Sequence, residues 1–143
     1  MKSGTPHNFN KKEQMRMGNL TKNFNREEFA CKCGCGYMDI DFDLVKIIQA
    51  IRDELNEPIR INSGCRCVKH NQRVGGVRNS FHVSGKAADL SCASGGKKLF
   101  ETIKRMQSEG RLEGLKYYIY YERKNFVHVD VGRKRSTMYE VRK

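Results

Sequence analysis

The chain contains no run of eighteen apolar residues, which excludes a hydrophobic membrane-spanning helix. Its opening residues, Met1-Lys2-Ser3-Gly4-Thr5-Pro6-His7-Asn8, lack the apolar stretch of a secretory leader. Synthesis in the cytoplasm without a signal peptide is therefore expected, and no membrane partner is. No internal repeat occurs beyond the paired Cys-x-Cys clusters, and there is no low-complexity tract. Anions are scarce: 16 Asp plus Glu stand against 28 Lys plus Arg, a formal net charge of +12. Such a balance favours a polyanionic partner or surface. Much of the excess lies at the ends, since residues 1–25 and 132–143 each carry five cations and one anion. The middle lacks the clustered Lys and Arg, interleaved with aromatics, that a nucleic-acid groove needs, so no specific nucleic-acid partner is expected.

What is present suits one folded unit. The 143 residues are 38% hydrophobic and 31% charged, enough for one domain with a modest core. Residues 1–19 read as a basic flexible arm, 20–135 as the domain and 136–143 as a basic C-terminal tail. Asn25 and Glu28 have capping-box spacing, and Phe24 with Phe29 fits a hydrophobic staple, so a short helix opens there. Leu44, Ile47, Ile48, Ile51 and Leu55 recur at helical spacing between an Asp41 N-cap and the stop at Pro58. Ile59 to Asn62 alternates as a short strand. A long loop rich in Gly, Asn, Cys and Arg covers residues 63–80, with one helical turn from Val68 to Arg73. Ala87 to Leu90 reads as a buried strand and Gly95 to Ser108 as a second amphipathic helix. Leu115 to Tyr121 and Phe126 to Val131 read as antiparallel strands joined by a polar turn. The predicted fold class is α+β, with helices packed on a small, mainly antiparallel sheet.

Three residues stand out chemically: His82, Asp89 and His128. The small, flexible run between His82 and Asp89 lets a loop bring an imidazole beside a carboxylate at the start of a strand. In Phe126-Val127-His128-Val129-Asp130-Val131, alternation places His128 and Asp130 on one face and the valines on the other. Two imidazoles and one carboxylate make a three-ligand zinc set that leaves a fourth position for water. The same three residues also suit unrelated core or surface positions, and spacing alone does not separate the two readings.

The motifs taken in order are more specific. Ser63-Gly64-Cys65-Arg66-Cys67, His70-Asn71, Val74-Gly75-Gly76, Asn79-Ser80-Phe81-His82, Gly85-Lys86-Ala87-Ala88-Asp89 and Phe126-Val127-His128-Val129-Asp130 together resemble the M15 zinc peptidases. The likeness is to the branch of phage and bacterial cell-wall D-alanyl-D-alanine carboxypeptidases and endopeptidases, and it runs from Phe24 to Val131. The resemblance implies a hedgehog/DD-peptidase-like fold and zinc held by His82, Asp89 and His128. It implies that Arg66, in the Ser-Gly-x-Arg motif, contacts the substrate near the scissile carbonyl, where a guanidinium fork suits an oxyanion or a carboxylate. Ser80, two residues before the first ligand, matches a serine that helps hold substrate in related dipeptidases, and a loop-capping hydroxyl is the alternative. His70 matches a family position that is not a ligand and is read as structural.

The general base departs from the pattern. Some family members carry an acid three positions before the last His, where this chain has Asn125, which cannot take a proton. Tyr121-Glu122-Arg123-Lys124-Asn125-Phe126-Val127-His128 resembles a stretch of the hedgehog signalling domain whose glutamate faces the metal water. Glu122 is thus the first candidate for the base and Asp130 the second, with orientation of a ligand as the alternative role of Asp130. The expected activity is hydrolysis of peptidoglycan stem peptides by a monomeric, phage endolysin-like enzyme acting at the bacterial cell wall. The competing readings are a non-catalytic, zinc-containing wall-binding module and a basic nucleic-acid-binding protein. The cysteines, Cys31, Cys33, Cys35, Cys65, Cys67 and Cys92, read as a mixture of buried small side chains and free thiols. A second, structural zinc joining the first cluster to Cys65 or Cys67 is the alternative, although the Cys-x-Cys step is tighter than the usual zinc-knuckle gap.

Overall fold

The computed structural model describes residues 18–134 and 138–143. All but the last two residues of the expected N-terminal arm lie outside the described residues. The order begins at a 3-10 turn, Arg26–Phe29, where the Glu28 carboxylate accepts the Asn25 N–H at 2.8 Å. Phe24 and Phe29 close over this turn with ring centroids 6.1 Å apart, as the staple spacing predicts.

Helix α1, Phe42–Leu55, starts where expected. The Asp41 carboxylate accepts the N–H groups of Asp43 and Leu44 and also binds Lys86 Nζ at 3.0 Å. At the other end Asn56 adopts the left-handed conformation (φ 57°), which closes the helix two residues before Pro58. The buried stripe Leu44, Ile47, Ile48, Ile51 and Leu55 faces helix α3, Gly96–Ser108, which presents Leu99, Phe100, Ile103 and Met106. Between them in sequence lies the short helix α2, Val68–Arg73. Among the described residues no helix is long and apolar enough to cross a membrane.

Five strands form one sheet in the order β1-β2-β4-β3-β5: β1 is Ile59–Ser63, β2 Ala87–Cys92, β3 Tyr117–Tyr121, β4 Phe126–Asp130 and β5 Met138–Arg142. Every pair is antiparallel except β3 with β5. One face, built from Ala88, Leu90, Tyr118, Tyr120, Val127 and Val129, enters the core under α3. Alternation sends Asp89, Tyr117, Tyr121, His128 and Asp130 to the opposite face. A bulge in β1 sets Ser63, rather than Asn62, opposite Asp89, so the extra residue re-aims Ser63 toward the open face.

The C-terminal residues correct the sequence reading. Instead of a basic tail, Met138–Arg142 supplies the edge strand β5, paired residue for residue with β3. Tyr139, although exposed, stacks on Tyr118 at 5.4 Å and meets Phe100 edge-on at 5.6 Å, so one face of this edge strand borders the aromatic corner of the core.

Asp41 joins helix initiation to the loop that precedes β2, because its own N–H also donates to the Gly85 carbonyl at 2.8 Å. Replacing Asp41 with Ala removes the cap and the Lys86 partner together and is expected to destabilise the fold by about 1–2 kcal/mol. Asp41→Asn, which keeps the cap, should lose less than half of that in urea unfolding. Equal losses for the two variants would show that the cap is not what Asp41 contributes.

Candidate metal centre

The register of β2 against β4 places Asp89 directly opposite His128, both on the open face. His82 arrives from the loop before β2. Its backbone N–H donates to the Ser80 hydroxyl at 3.2 Å and its carbonyl accepts from Arg66 N–H at 3.0 Å, which ties the 63–67 and 80–85 segments together. Ser80 therefore caps the turn that presents His82. This contact fits the loop-capping role, one of the two weighed from sequence.

The Asp89 carboxylate divides between its neighbours. Oδ1 lies 3.3 Å from His82 Nε2 and 3.0 Å from His128 Nδ1, while Oδ2 lies 3.4 Å from Arg66 Nη2. His82 and Asp89 are only 3% and 7% exposed. One donor atom from each of His82, Asp89 and His128 falls within 4.8 Å of the others, so a single ion can be shared among them. The donor set suits zinc: two nitrogens and one carboxylate oxygen. The outer contacts suit it as well. His82 Nδ1 faces the Gly64 carbonyl at 2.7 Å, which turns Nε2 toward Asp89. His128 Nε2 faces Asp130 Oδ2 at 2.9 Å and so presents Nδ1 in the same way.

This arrangement decides what Asp130 can do. Its side chain is wholly buried behind His128, on the ring nitrogen opposite the shared donor cluster, with Arg133 Nε 3.6 Å away. These contacts are those of a carboxylate that orients an imidazole, the alternative role weighed for the second candidate base. Glu122 stands outside this hydrogen-bonded group, exposed on the turn between β3 and β4, with its N–H bonded to the Arg142 carbonyl at 2.7 Å. Asn125, which occupies the position where some M15 enzymes carry an acid, has its own task. It sits at φ 61°, and its Oδ1 accepts the Gly96 N–H at 2.6 Å, capping α3.

Arg66 is drawn into the centre by three acceptors. Nε donates to Ser63 Oγ at 3.1 Å, Nη1 to Asn71 Oδ1 at 3.2 Å and Nη2 to Asp89 Oδ2. A guanidinium carries five N–H bonds, so two remain after these contacts. Asn71, buried, also donates to the Val77 carbonyl at 2.8 Å. Gly76 makes this packing possible, because a Cβ there would lie 2.0 Å from Asn71 Oδ1 and 3.0 Å from Arg66 Nη1. Sequence reasoning passed over Asn71, Ser63 and Arg133 as functional residues. Ser63 and Asn71 stand inside the quoted motifs, which was the available signal. Arg133, packed 3.8 Å from the Tyr117 ring centroid, had none.

Against this geometry, the family model described as Peptidase M15 matches residues 22–130, and the chain belongs to that family. The chain is also similar to a zinc D-Ala-D-Ala carboxypeptidase of Streptomyces albus G, 46% identical over 50 residues. That stretch is 34% of this chain and spans 20% of the relative's length.

The charges at the centre set a pH dependence in metal-free protein. Burial pushes the Asp89 carboxyl up, but the hydrogen bonds from His128 and His82 outweigh it and hold Asp89 well below the usual carboxylate range. Burial likewise pushes His128 down, and the carboxylates of Asp130 and Asp89 outweigh it, raising its pKa to about 9. A folded-state pKa above the ordinary value of about 6.5 means the His128 contribution to stability is complete below pH 6.5 and is lost as pH rises through 9. Chelator-treated protein should therefore lose on the order of 5–10 °C in melting temperature between pH 6.5 and 9.5. Asp130→Asn should flatten that decline by more than half in the same thermal scan. Parallel curves for the two proteins would remove Asp130 from the account.

Proposed function

We propose that this chain is a zinc-dependent peptidase that hydrolyses peptidoglycan stem peptides, with D-alanyl-D-alanine carboxypeptidase as the leading subtype and a related murein endopeptidase as the alternative. The observation that carries this reading is the convergence of His82, Asp89 and His128 on one point beside Arg66, in a member of the M15 family. The name of the Streptomyces albus G relative supports both the metal and the D-Ala-D-Ala bond. A zinc ion held by these three side chains supplies Lewis-acid chemistry, acidifying water and polarising a carbonyl oxygen.

The protein's own residues do the rest. His82 and His128 are oriented by the Gly64 carbonyl and Asp130, which turn Nε2 of the one and Nδ1 of the other toward Asp89. The two unspent N–H groups of Arg66 donate either to the developing oxyanion or to the terminal carboxylate of a stem peptide, from a guanidinium already fixed by Ser63 and Asn71. With Asp130 behind His128, Glu122 is the remaining candidate to take a proton and pass it to the leaving amine. Its turn follows Tyr121 and precedes Phe126, a stacked pair on the same face as His128 and one step further along the strands. The basic surface favours anionic wall polymers, and the site of action is the bacterial cell wall.

Digestion of defined muropeptides, read by mass spectrometry, tests this reading. Release of D-alanine or scission of a cross-bridge is expected, with loss of activity on chelation. Glu122→Gln should lower turnover by about 100-fold or more while leaving zinc content unchanged. Stoichiometric zinc with no product from any wall substrate would replace this reading with the non-catalytic wall-binding module.

A further inference from the structure

Outside the centre, a second group of donor side chains comes together. The turn from Cys31 to Tyr37 is closed by the Cys31 N–H donating to the Tyr37 carbonyl at 2.7 Å and the Gly34 N–H to the Cys31 carbonyl at 3.2 Å. Side chains two residues apart on an extended strand stand about 7 Å apart. Here Gly34 (φ 83°) and Gly36 (φ 91°) curl the backbone, and the thiols converge instead. Cys31 Sγ lies 3.4 Å from Cys33 Sγ, which in turn lies 3.6 Å from Cys67 Sγ. All four sulfurs of Cys31, Cys33, Cys35 and Cys67 fall within 4.8 Å of one another, and none is in a disulfide. Four thiolates at about 2.3 Å from a tetrahedral zinc are about 3.8 Å apart, the spacing this group approaches without an ion.

We propose that Cys31, Cys33, Cys35 and Cys67 form a closed tetrathiolate site for a second zinc ion, which clamps the N-terminal turn to the loop carrying Arg66. Two backbone donors already point at sulfur: Cys67 N–H meets Cys31 Sγ at 3.4 Å, and His70 N–H meets Cys67 Sγ at 3.4 Å. Such donors stabilise thiolates over thiols, as zinc ligation requires. A set of four sulfurs selects zinc over the hard cations and leaves no position for water, which makes the site structural. The remaining cysteines are excluded by place. Cys65 is buried in the core, and the Cys92 thiol approaches the Gly95 carbonyl at 3.6 Å. Of the two partners weighed from sequence for the first cluster, Cys67 is the one that reaches it.

The location explains what a clamp would do. Cys67 directly follows Arg66, and Cys65 N–H donates to the Phe29 carbonyl at 2.8 Å, so the two segments already run side by side. Cys33 and Cys35 are exposed, and a metal is what would hold them against the other two. The Cys65–Phe29 hydrogen bond holds the backbone on one side of Arg66, and the clamp at Cys67 would hold it on the other.

Cobalt(II) titration of the reduced, metal-stripped full chain tests the site directly. Thiolate ligation gives an intense sulfur-to-cobalt charge-transfer absorption in the near ultraviolet, which a His/Asp site does not produce. The band is expected to saturate at one equivalent, to be bleached by one equivalent of zinc and to survive His82→Ala. It should be lost in Cys33→Ser with Cys35→Ser and kept in Cys92→Ser. Zinc content of protein purified under reducing conditions should be two per chain, falling to one in the Cys33→Ser, Cys35→Ser variant. No charge-transfer band in the unmutated chain would overturn the proposal, whether or not the variants fold. So would an unchanged zinc count in the double variant, or iron in place of zinc in the purified protein. The cobalt band and the loss of one zinc in the double variant do not depend on the His82, Asp89 and His128 centre, which keeps the two tests separate.

Discussion

The buried carboxylate of Asp89 is the constraint around which the rest is arranged. A carboxylate taken out of water must find cations or donors, or it will not remain ionised. Asp89 finds them in three directions, with one oxygen toward two imidazoles and the other toward Arg66. Each partner comes from a different part of the chain, so the demand of one side chain links the 63–67 loop, the 80–85 turn and β4. In metal-free protein a protonated His128 and Arg66 meet that demand. The same oxygens and nitrogens lie within 4.8 Å of one another, so a bound ion would replace a proton in meeting that demand.

What delivers these groups to one point is hydrophobic burial on the other side of the sheet. Val127 and Val129 are fully buried, and period-2 alternation then leaves His128 and Asp130 no choice of face. Ala88 and Leu90 do the same for Asp89. A one-residue slip of β4 against β2 would put the valines into solvent and separate His128 from Asp89, so the core and the centre enforce the same register. Among the described strands the bulge at Asn62 breaks the pattern, and it sets Ser63 beside Arg66.

The sequence carried much of this, through features of differing range. The Asp41 cap, the apolar stripe of α1 and the alternation around His128 are local, and each appears where the residues indicate. The donor set was suggested by the ordered motifs, since spacing alone could not bring residue 128 to residues 82 and 89. What escaped depends on distant partners. Met138–Arg142, next to Lys143, reads as tail because its apolar side chains, Met138, Tyr139 and Val141, have no local partner and Tyr139 acquires meaning only against Tyr118, Phe100 and a parallel neighbour. For Asp130, its distance from His128 in sequence fixes the face but not which ring nitrogen it meets, which is Nε2. Asn125 looked like a lost acid, and its capping of α3 lies 29 residues away in sequence.

A long loop is ordinarily a poor platform for groups that must be held to fractions of an ångström. This one overcomes the difficulty by using its polar atoms on its own functional side chains. The Gly64 carbonyl sets the tautomer of His82, the His82 carbonyl binds the Arg66 backbone, the Ser80 hydroxyl holds the His82 backbone, and Asn71 joins the Arg66 fork to the Val77 carbonyl. Hydrogen bonds that a helix or strand would spend on regular structure are here spent on orientation. The consequence is that the loop's small residues are as constrained as its charged ones. Any side chain at residue 76 would have to displace the Asn71 amide, and with it the guanidinium, before it disturbed anything a fold would notice.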